Sequence, residues 1–493
     1  MEINDLTPAE RRVWDAFPRG EGVDFREDRS EEAADGASWG PERTVRAEVL
    51  AHLLLRGAIP LDGQVPGLNV RGARITGKLN LKYADIEHAI RLRACWFERK
   101  PLLYGARLRI VSLSDSALPG LTASTVTVDI ALKLSCCRIT GPVRLAGARI
   151  AGGLFLRKAV IGTAGPAEEG QEAALQFNHA DIGTDVIAMN LTVHGQTRIN
   201  GATVGGQINF DDARLLAPGA TALHAEILNV GTDLRAMRLE ARGRVNLTGS
   251  RIPGQLNLAY ARLINPGGVA LRASSCVAGE VWLRNCPTIQ GGVNLRRSQF
   301  DLLHITPETW PPAQIRIAGL AYRALSPHVP AEQRLPVLER EESGYVPHAY
   351  EQLATAYRTA GDEAAARTVL LAKLRRHRRT LPRAARVWGL LQDATVGYGF
   401  RPLRAAGWLL ALLITGTVAY GLHPPRELKQ GEAPDFNPVF YTIDLMLPII
   451  GFGQEAPFAP DGWYQWLSYL LIVTGWVLAT TTAAGVSRSL QRQ

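Results

Sequence analysis

From about residue 67 to residue 300 one pattern keeps returning: small residue, any, aliphatic, any, Gly, any, aliphatic, any, aliphatic, then two spacers. It reads Ala73, Ile75, Gly77, Leu79 and Leu81, and again Ala148, Ile150, Gly152, Leu154 and Leu156. Later it returns as Ala202, Val204, Gly206, Ile208 and Phe210, and as Ser250, Ile252, Gly254, Leu256 and Leu258. The small position recurs every eleven residues: Ala73, Ala84, Cys95, Ala106 and Ala117, then Cys137, Ala148 and Ala159, then Ala180, Leu191, Ala202 and Ala213. Leu191 is the one large intruder in those runs. Alternation inside each unit is strand-like. One unit cannot bury its own apolar face and must stack on the next, so the period predicts a solenoid. Two eleven-residue halves make a coil of about 22 residues, giving roughly ten coils and a rod of about 50 Å at ~4.8 Å per coil. Glycine density and period two both oppose helical repeats. The small residues and glycines read as corners where the chain bends, and the grid restarts after insertions such as residues 163–170.

The flanks change period. Thr7, Pro8, Ala9 and Glu10 start a helix with capping chemistry, and residues 43–55 read as a second amphipathic helix, so residues 1–66 form a helical N-terminal cap. The β-solenoid is expected over 67–312. Residues 315–379 turn helical, and 350–370 resemble a single tetratricopeptide-like hairpin with Gly361 at the turn; one hairpin is a packing element, not an array. A linker of hairpin and basic residues is thus expected over 313–402, and a membrane module over 403–493.

Residues 403–422 and 464–486 are apolar and uncharged after Arg404, long enough to span a bilayer. Trp408, Trp463, Tyr464 and Trp466 stand near their ends, as interfacial aromatics do. The formal charge is +9. Nearly all of that excess lies between Lys373 and Arg404, with Asp393 the only acid among those basic residues. A basic cluster beside a span reads as topology and anionic lipid, not nucleic acid, with Arg375, Arg376, Arg378, Arg379, Arg383 and Arg386 as the lipid contacts. Arg488 and Arg492 follow the second span, which predicts a multi-pass protein of the inner or plasma membrane with both termini and the solenoid cytoplasmic. The acidic N-terminus, with no apolar signal region, agrees. Five cysteines without a CxxC pair give neither a disulfide framework nor a zinc signature, and Cys137 falls in a small core slot beside Cys136.

Residues 436–450 are apolar enough for a re-entrant helix, followed by Ile449, Ile450, Gly451, Phe452 and Gly453, a candidate pore loop. Span, re-entrant helix, glycine-rich loop and span together resemble the plan of two-helix potassium channels. Ile449 stands where their filter threonine supplies an oxygen, Gln454 replaces their acidic residue, and Pro448 breaks the helix before the loop. The repeat resembles a longer-period relative of the right-handed pentapeptide-repeat β-helices, with Ala-x-Ile matching their small–x–aliphatic step. Residues 350–379, the stretch from Thr395 through Gly397, Gly399 and Pro402 to Arg404, and that from Leu445 through Pro448, Gly453 and Gln454 to Gly475 and Trp476 resemble a family. It is an actinobacterial family of repeat-bearing membrane proteins commonly labelled "membrane-associated oxidoreductase". That resemblance covers essentially the whole chain and implies redox chemistry. The residues themselves offer no GxGxxG between strand and helix, no CxxCH and no HExxH. His179, His194 and His224 lie at scattered strand or loop positions, and Asp211 and Asp212 would face opposite sides of a strand. Neither a cofactor nor a metal site is expected, and no catalytic residue can be named. The leading expectation is a membrane-tethered scaffold whose solenoid face meets an unknown protein partner. The alternatives are a channel-like pore gated by the solenoid, which requires a homo-oligomer, and the oxidoreductase of the family label.

Overall fold

The structure, a computed structural model, describes residues 5–28, 30–56, 63–165, 172–383, 385, 386, 389, 390, 393, 402–429, 433–447 and 451–490. The chain divides into two compact units, Met1–Asp362 and Glu363–Gln493.

The first unit is mainly β, a solenoid of about 12 turns whose strands all pair in parallel with the coil above or below. The middle coils contribute two short strands to each of two sheets, and later ones a single longer strand to each, such as Arg262–Arg272 and Val277–Leu283. Arg138–Ile139 and Val143–Arg144 lie in one, and Arg149–Ile150 and Gly153–Phe155 in the other, so a coil has four short sides. Leu132 faces Leu154, Val186 faces Ile208 and Leu234 faces Leu256, each one 22-residue step on. Together with Leu68, Ile90, Val111, Val281 and Leu303 they form one buried column. Between Leu154 and Val186 the chain inserts extra residues without breaking that column.

Two details of the repeat differ from the sequence reading. The coil after Arg107 is short, with Arg107 opposite Thr127. Ser116 therefore takes the small inward slot, its hydroxyl donating to the Leu92 carbonyl and accepting from Cys95 N–H. Ala117, one residue further on, is only half-buried. The corners also work differently. The left-handed residue sits just before the small slot and is mostly not glycine: Tyr83, Thr125, Cys136, Lys158, His179, Asn190, Ile227 and Tyr260 all have φ between 53° and 60°. At all of these but Ile227, the next residue's N–H closes a turn on the carbonyl three positions back, as from Ala84 to Leu81 and Ala159 to Leu156. Among the glycines of the coils Gly77 is left-handed, φ 76°, whereas Gly152, Gly205 and Gly231 have no such φ. A Cβ on any of these three would run into the carbonyl oxygen of Ile130, Gly183 or Gly205 on the neighbouring coil. They allow coils to approach closely; they do not bend the chain.

The N-terminal end is closed by α1 (Pro8–Ala16) and α2 (Ala47–Arg56). Thr7 and Glu10 form the expected capping box. Residues 43–46 do not join the second helix: Pro41–Arg43 is a 3₁₀ turn and Thr44–Arg46 a strand paired with Arg74–Thr76. At the other end β-stacking outlasts residue 312, through Ile315–Arg316 and Ala321–Ser326. Helices begin only with α3 (Ala331–Glu339) and α4 (Pro347–Thr359). Arg334, buried in α3, donates to the carbonyls of Ile305 (3.1 Å) and Pro327 (2.6 Å), satisfying acceptors at the end of the stack. Past α4 the chain turns at Gly361, φ 80°, with Asp362 N–H on the Tyr357 carbonyl.

The second unit contains α5 (Glu363–Thr380), α6 (Pro402–Leu422), α7 (Pro438–Met446) and α8 (Trp463–Leu490), with a two-stranded antiparallel pairing of Arg426–Glu427 and Phe458–Ala459. Helices α6 and α8 occupy the segments expected to span a membrane. Among the described residues, however, no helix is long and apolar enough to cross one, so the fold by itself does not support two transmembrane helices. The re-entrant segment is shorter than expected. Helix α7 starts at the Asn437 cap, whose side chain accepts from Val439 and Phe440 N–H. It stops at Met446, because a residue preceding proline resists helical angles.

Candidate functional site

Helix α7 is a wedge between α6 and α8. Tyr420, Tyr441, Leu445, Met446, Phe458 and Leu471 form its buried cluster. Two glycines make the fit: a Cβ on Gly416 would meet the Thr442 side chain, and one on Gly475 would lie 2.5 Å from the Met446 carbonyl oxygen. Small residues at such crossings let helices pack closely. The Tyr420 hydroxyl donates to the Tyr464 carbonyl (3.0 Å), tying α6 to the start of α8.

The loop after the wedge folds back onto it. Asp444, buried in α7, accepts the N–H of Phe452 (2.6 Å) through one oxygen and of Gln454 (2.7 Å) through the other. The Gln454 side chain in turn accepts from Asn437 N–H (3.1 Å) and donates to the Asp435 carbonyl (3.2 Å). Of the candidate pore loop, Ile449 and Ile450, like Pro448 before them, lie outside the described residues. Gly451, Phe452 and Gly453 are exposed. Only Gly453 has a left-handed φ, 78°, and both glycines have open space where a Cβ would go. Sequence reasoning passed over Asp444; an acid inside an apolar helix ten residues before Gln454 was the available signal.

The basic cluster is not uniform. Arg375 and Arg378 both turn onto Asp393, at 2.9 and 3.1 Å. Burial raises the Asp393 carboxyl pKa, but those two guanidiniums outweigh it and hold it below the usual carboxylate range. Arg386 donates to the Leu381 carbonyl (2.6 Å). Arg379, Arg383 and Arg386 are exposed and Arg376 half-buried, so the outward charge is smaller than the sequence count.

The remaining candidates do not converge. Cys137 is buried, its thiol donating to the Leu113 carbonyl (2.9 Å), and burial pushes it up to about 12. Cys136 occupies the exposed left-handed corner beside it. His179 lies at a corner, while His194 and His224 belong to different strands. Asp211 and Asp212 sit in a turn, each paired with an arginine of the next coil, Arg235 and Arg238. Among the described residues no group of His, Cys, Asp or Glu could hold a metal ion.

Together these features define a class: a parallel β-solenoid followed by a helical unit with a wedged short helix and a carboxylate-tied loop. No family model, curated protein or solved structure matches the chain.

Proposed function

We propose that the protein is a membrane-anchored scaffold. The second unit holds the chain at an anionic inner or plasma membrane, with both termini and the solenoid cytoplasmic, and an outward face of the solenoid receives a protein partner. One observation carries the anchoring. Helix α6 leaves Leu410, Ile414, Val418 and Leu422 exposed at every fourth position, and α8 leaves Trp463, Trp466, Leu470, Val473 and Trp476 exposed along one stripe. Apolar patches of that extent call for a lipid or protein cover, and the tryptophans suit a bilayer interface. Anchoring is tested by fractionation. The chain is expected to pellet with membranes, to resist alkaline carbonate, and to need detergent for release; recovery in the soluble fraction would overturn it. Reporter fusions after Arg379 and after Gln493 should read as cytoplasmic and one near residue 432 as external, with an external solenoid reversing the orientation. Vesicle binding through Arg376, Arg379, Arg383 and Arg386 should weaken with salt, at roughly 1 kcal/mol per cation near the surface. Equal binding to neutral vesicles would remove the electrostatic part.

A second reading, a pore built from several copies, is favoured by one observation. The Met446 carbonyl lies against Gly475, twelve residues along α8 from Trp463, roughly 18 Å at ~1.5 Å per residue. The exposed backbone of Gly451–Gly453 is tethered at the level of Asp444, close by. At that depth in a bilayer, non-helical backbone must be covered by protein or line a water-filled cavity. Ion flux in liposomes that is lost in Gly453→Ala and kept in Gly451→Ala supports the pore. Absence of flux from the wild-type chain leaves the scaffold alone.

A further inference from the structure

Over much of the solenoid surface, acids and bases answer each other from coil to coil. Arg214 lies 3.1 Å from Glu240, Arg235 2.9 Å from Asp211, and Arg323 3.6 Å from Asp301. The first two coils break this habit. Gly67–Arg71 pairs in register with Ala89–Arg93, which sets Arg71 directly opposite Arg93 and Asn69 opposite Arg91. Strand alternation buries Val70 and Leu92 and turns all four polar residues outward. Adjacent coils are ~4.8 Å apart and alternate residues along a strand ~7 Å apart, so three guanidiniums share one small patch.

The next coil extends the patch with neutral donors. Ser112 lies opposite Arg91, and Ser114 accepts the Ala94 N–H through its carbonyl, which places it beneath Arg93. The two serine hydroxyls are 3.4 Å apart. Lys133 follows, opposite Ser112. Two carboxylates stand near. Asp24 lies directly opposite Arg71, with its carboxylate held by Arg26 at 3.0 and 2.8 Å, and Asp115 lies at the corner beyond Ser114, close enough to act on Arg93. Arg93 is half-buried and its Nε has no acceptor. Burial first, then the charges of Arg71 and Arg91, make its guanidinium less basic than usual. Like charges set opposite one another in a sheet destabilise it. All three arginines alternate with the buried Val70 and Leu92, Arg71 exposed and Arg91 and Arg93 half-buried.

We infer that Arg71, Arg91 and Arg93, with the hydroxyl of Ser114 backed by the buried Ser112, form a binding site for a phosphate group, carried either by free phosphate or by a phosphate monoester such as a lipid headgroup. A dianion neutralises the opposed guanidiniums, whose planar forks match phosphate oxygens two at a time. Bond making and breaking play no part: the site binds. It stands on the first coils of the solenoid and does not depend on the membrane anchor.

The test uses the full chain in neutral detergent, followed by thermal unfolding in sodium phosphate and in sodium chloride of equal ionic strength. Phosphate is expected to raise the midpoint saturably, by roughly 3 °C at concentrations well above Kd. Arg93→Gln should abolish that rise and Arg71→Gln should weaken phosphate affinity at least tenfold. In chloride alone Arg93→Gln should melt no lower than the wild type, because it removes a repulsion; this shows that the variant folds. Should it melt lower, Arg91→Gln, whose side chain opposes only a serine and an asparagine, serves in its place. Glycerol 3-phosphate provides the second arm. Saturation at a lower concentration than inorganic phosphate identifies a monoester ligand, the reverse identifies the free ion, and both support the site. Equal midpoints in phosphate and chloride, or a phosphate response undiminished in both Arg93→Gln and Arg91→Gln, would overturn it.

Discussion

Ile227 holds a β-branched side chain at φ 55° and leaves it 65% exposed. The left-handed region costs an L-residue about 1–2 kcal/mol, and asparagine tolerates it better than any β-branched residue. With little packing to lose, Ile227→Asn should stabilise the solenoid by about 1 kcal/mol. Chemical denaturation should register this as a higher midpoint with unchanged slope; a fall would mean that the isoleucine makes contacts which outweigh its strain. Gly231 is the opposite case. Its backbone angles are ordinary, but a Cβ would strike the Gly205 carbonyl on the coil below. Gly231→Ala must therefore push two coils apart and should cost about 2 kcal/mol or more. A neutral result would show that the coils can separate freely there.

At the scale of elements, the N-terminal cap hangs on one carboxylate. Glu10, in the first turn of α1, is 1% exposed and accepts from Thr7 N–H (3.0 Å), Arg46 N–H (3.0 Å) and the Arg46 guanidinium (2.7 Å twice). Burial alone would raise its pKa, but the Arg46 side chain and the two backbone donors outweigh burial and lower it. A group whose pKa is depressed by folding contributes its stability above the unfolded value of ~4.3 and loses it as pH falls through the folded one. The cap is thus expected to loosen below about pH 4, seen as faster amide exchange over residues 8–16 and 44–46. Glu10→Gln, which gives up the charge-assisted bonds, should cost roughly 2 kcal/mol at neutral pH and flatten that acid dependence. If the variant keeps the wild-type pH profile, another group controls the cap.

The whole first unit behaves as a one-dimensional stack, because each coil meets only its neighbours. Leu154 is fully buried between Leu132 and Val186 in the central column. Leu154→Asp would bury a carboxylate without a partner and should cost several kcal/mol. The loss should spread to the two adjoining coils before the distant ones, which hydrogen exchange resolves coil by coil. An unchanged melting curve would mean that position 154 does not face the core.

Much of the architecture is legible in the amino-acid sequence alone. Spacings such as Cys137, Ile139, Val143 and Leu145 force one side of every segment inward, since apolar groups at period two can hide from water only on a stacked coil. Thr7 with Glu10 marked the first helix, and Pro448 the end of α7, because capping and proline act through neighbours a few residues away. What escaped a local reading were relations between coils and between helices. The shortened coil that installs Ser116 in place of Ala117, and the wider step from Leu154 to Val186, appear only once strands are in register. So do the close approach that demands Gly231, the turn of Arg375 and Arg378 onto Asp393, and the reach of Asp444 to its returning loop. Arg71 and Arg93 are one 22-residue step apart in the sequence, yet their opposition has meaning only when the sheet brings them side by side. Hydrophobic spacing is a property of the chain, whereas the pairing of charges and the clearance between backbones depend on distances that folding alone creates.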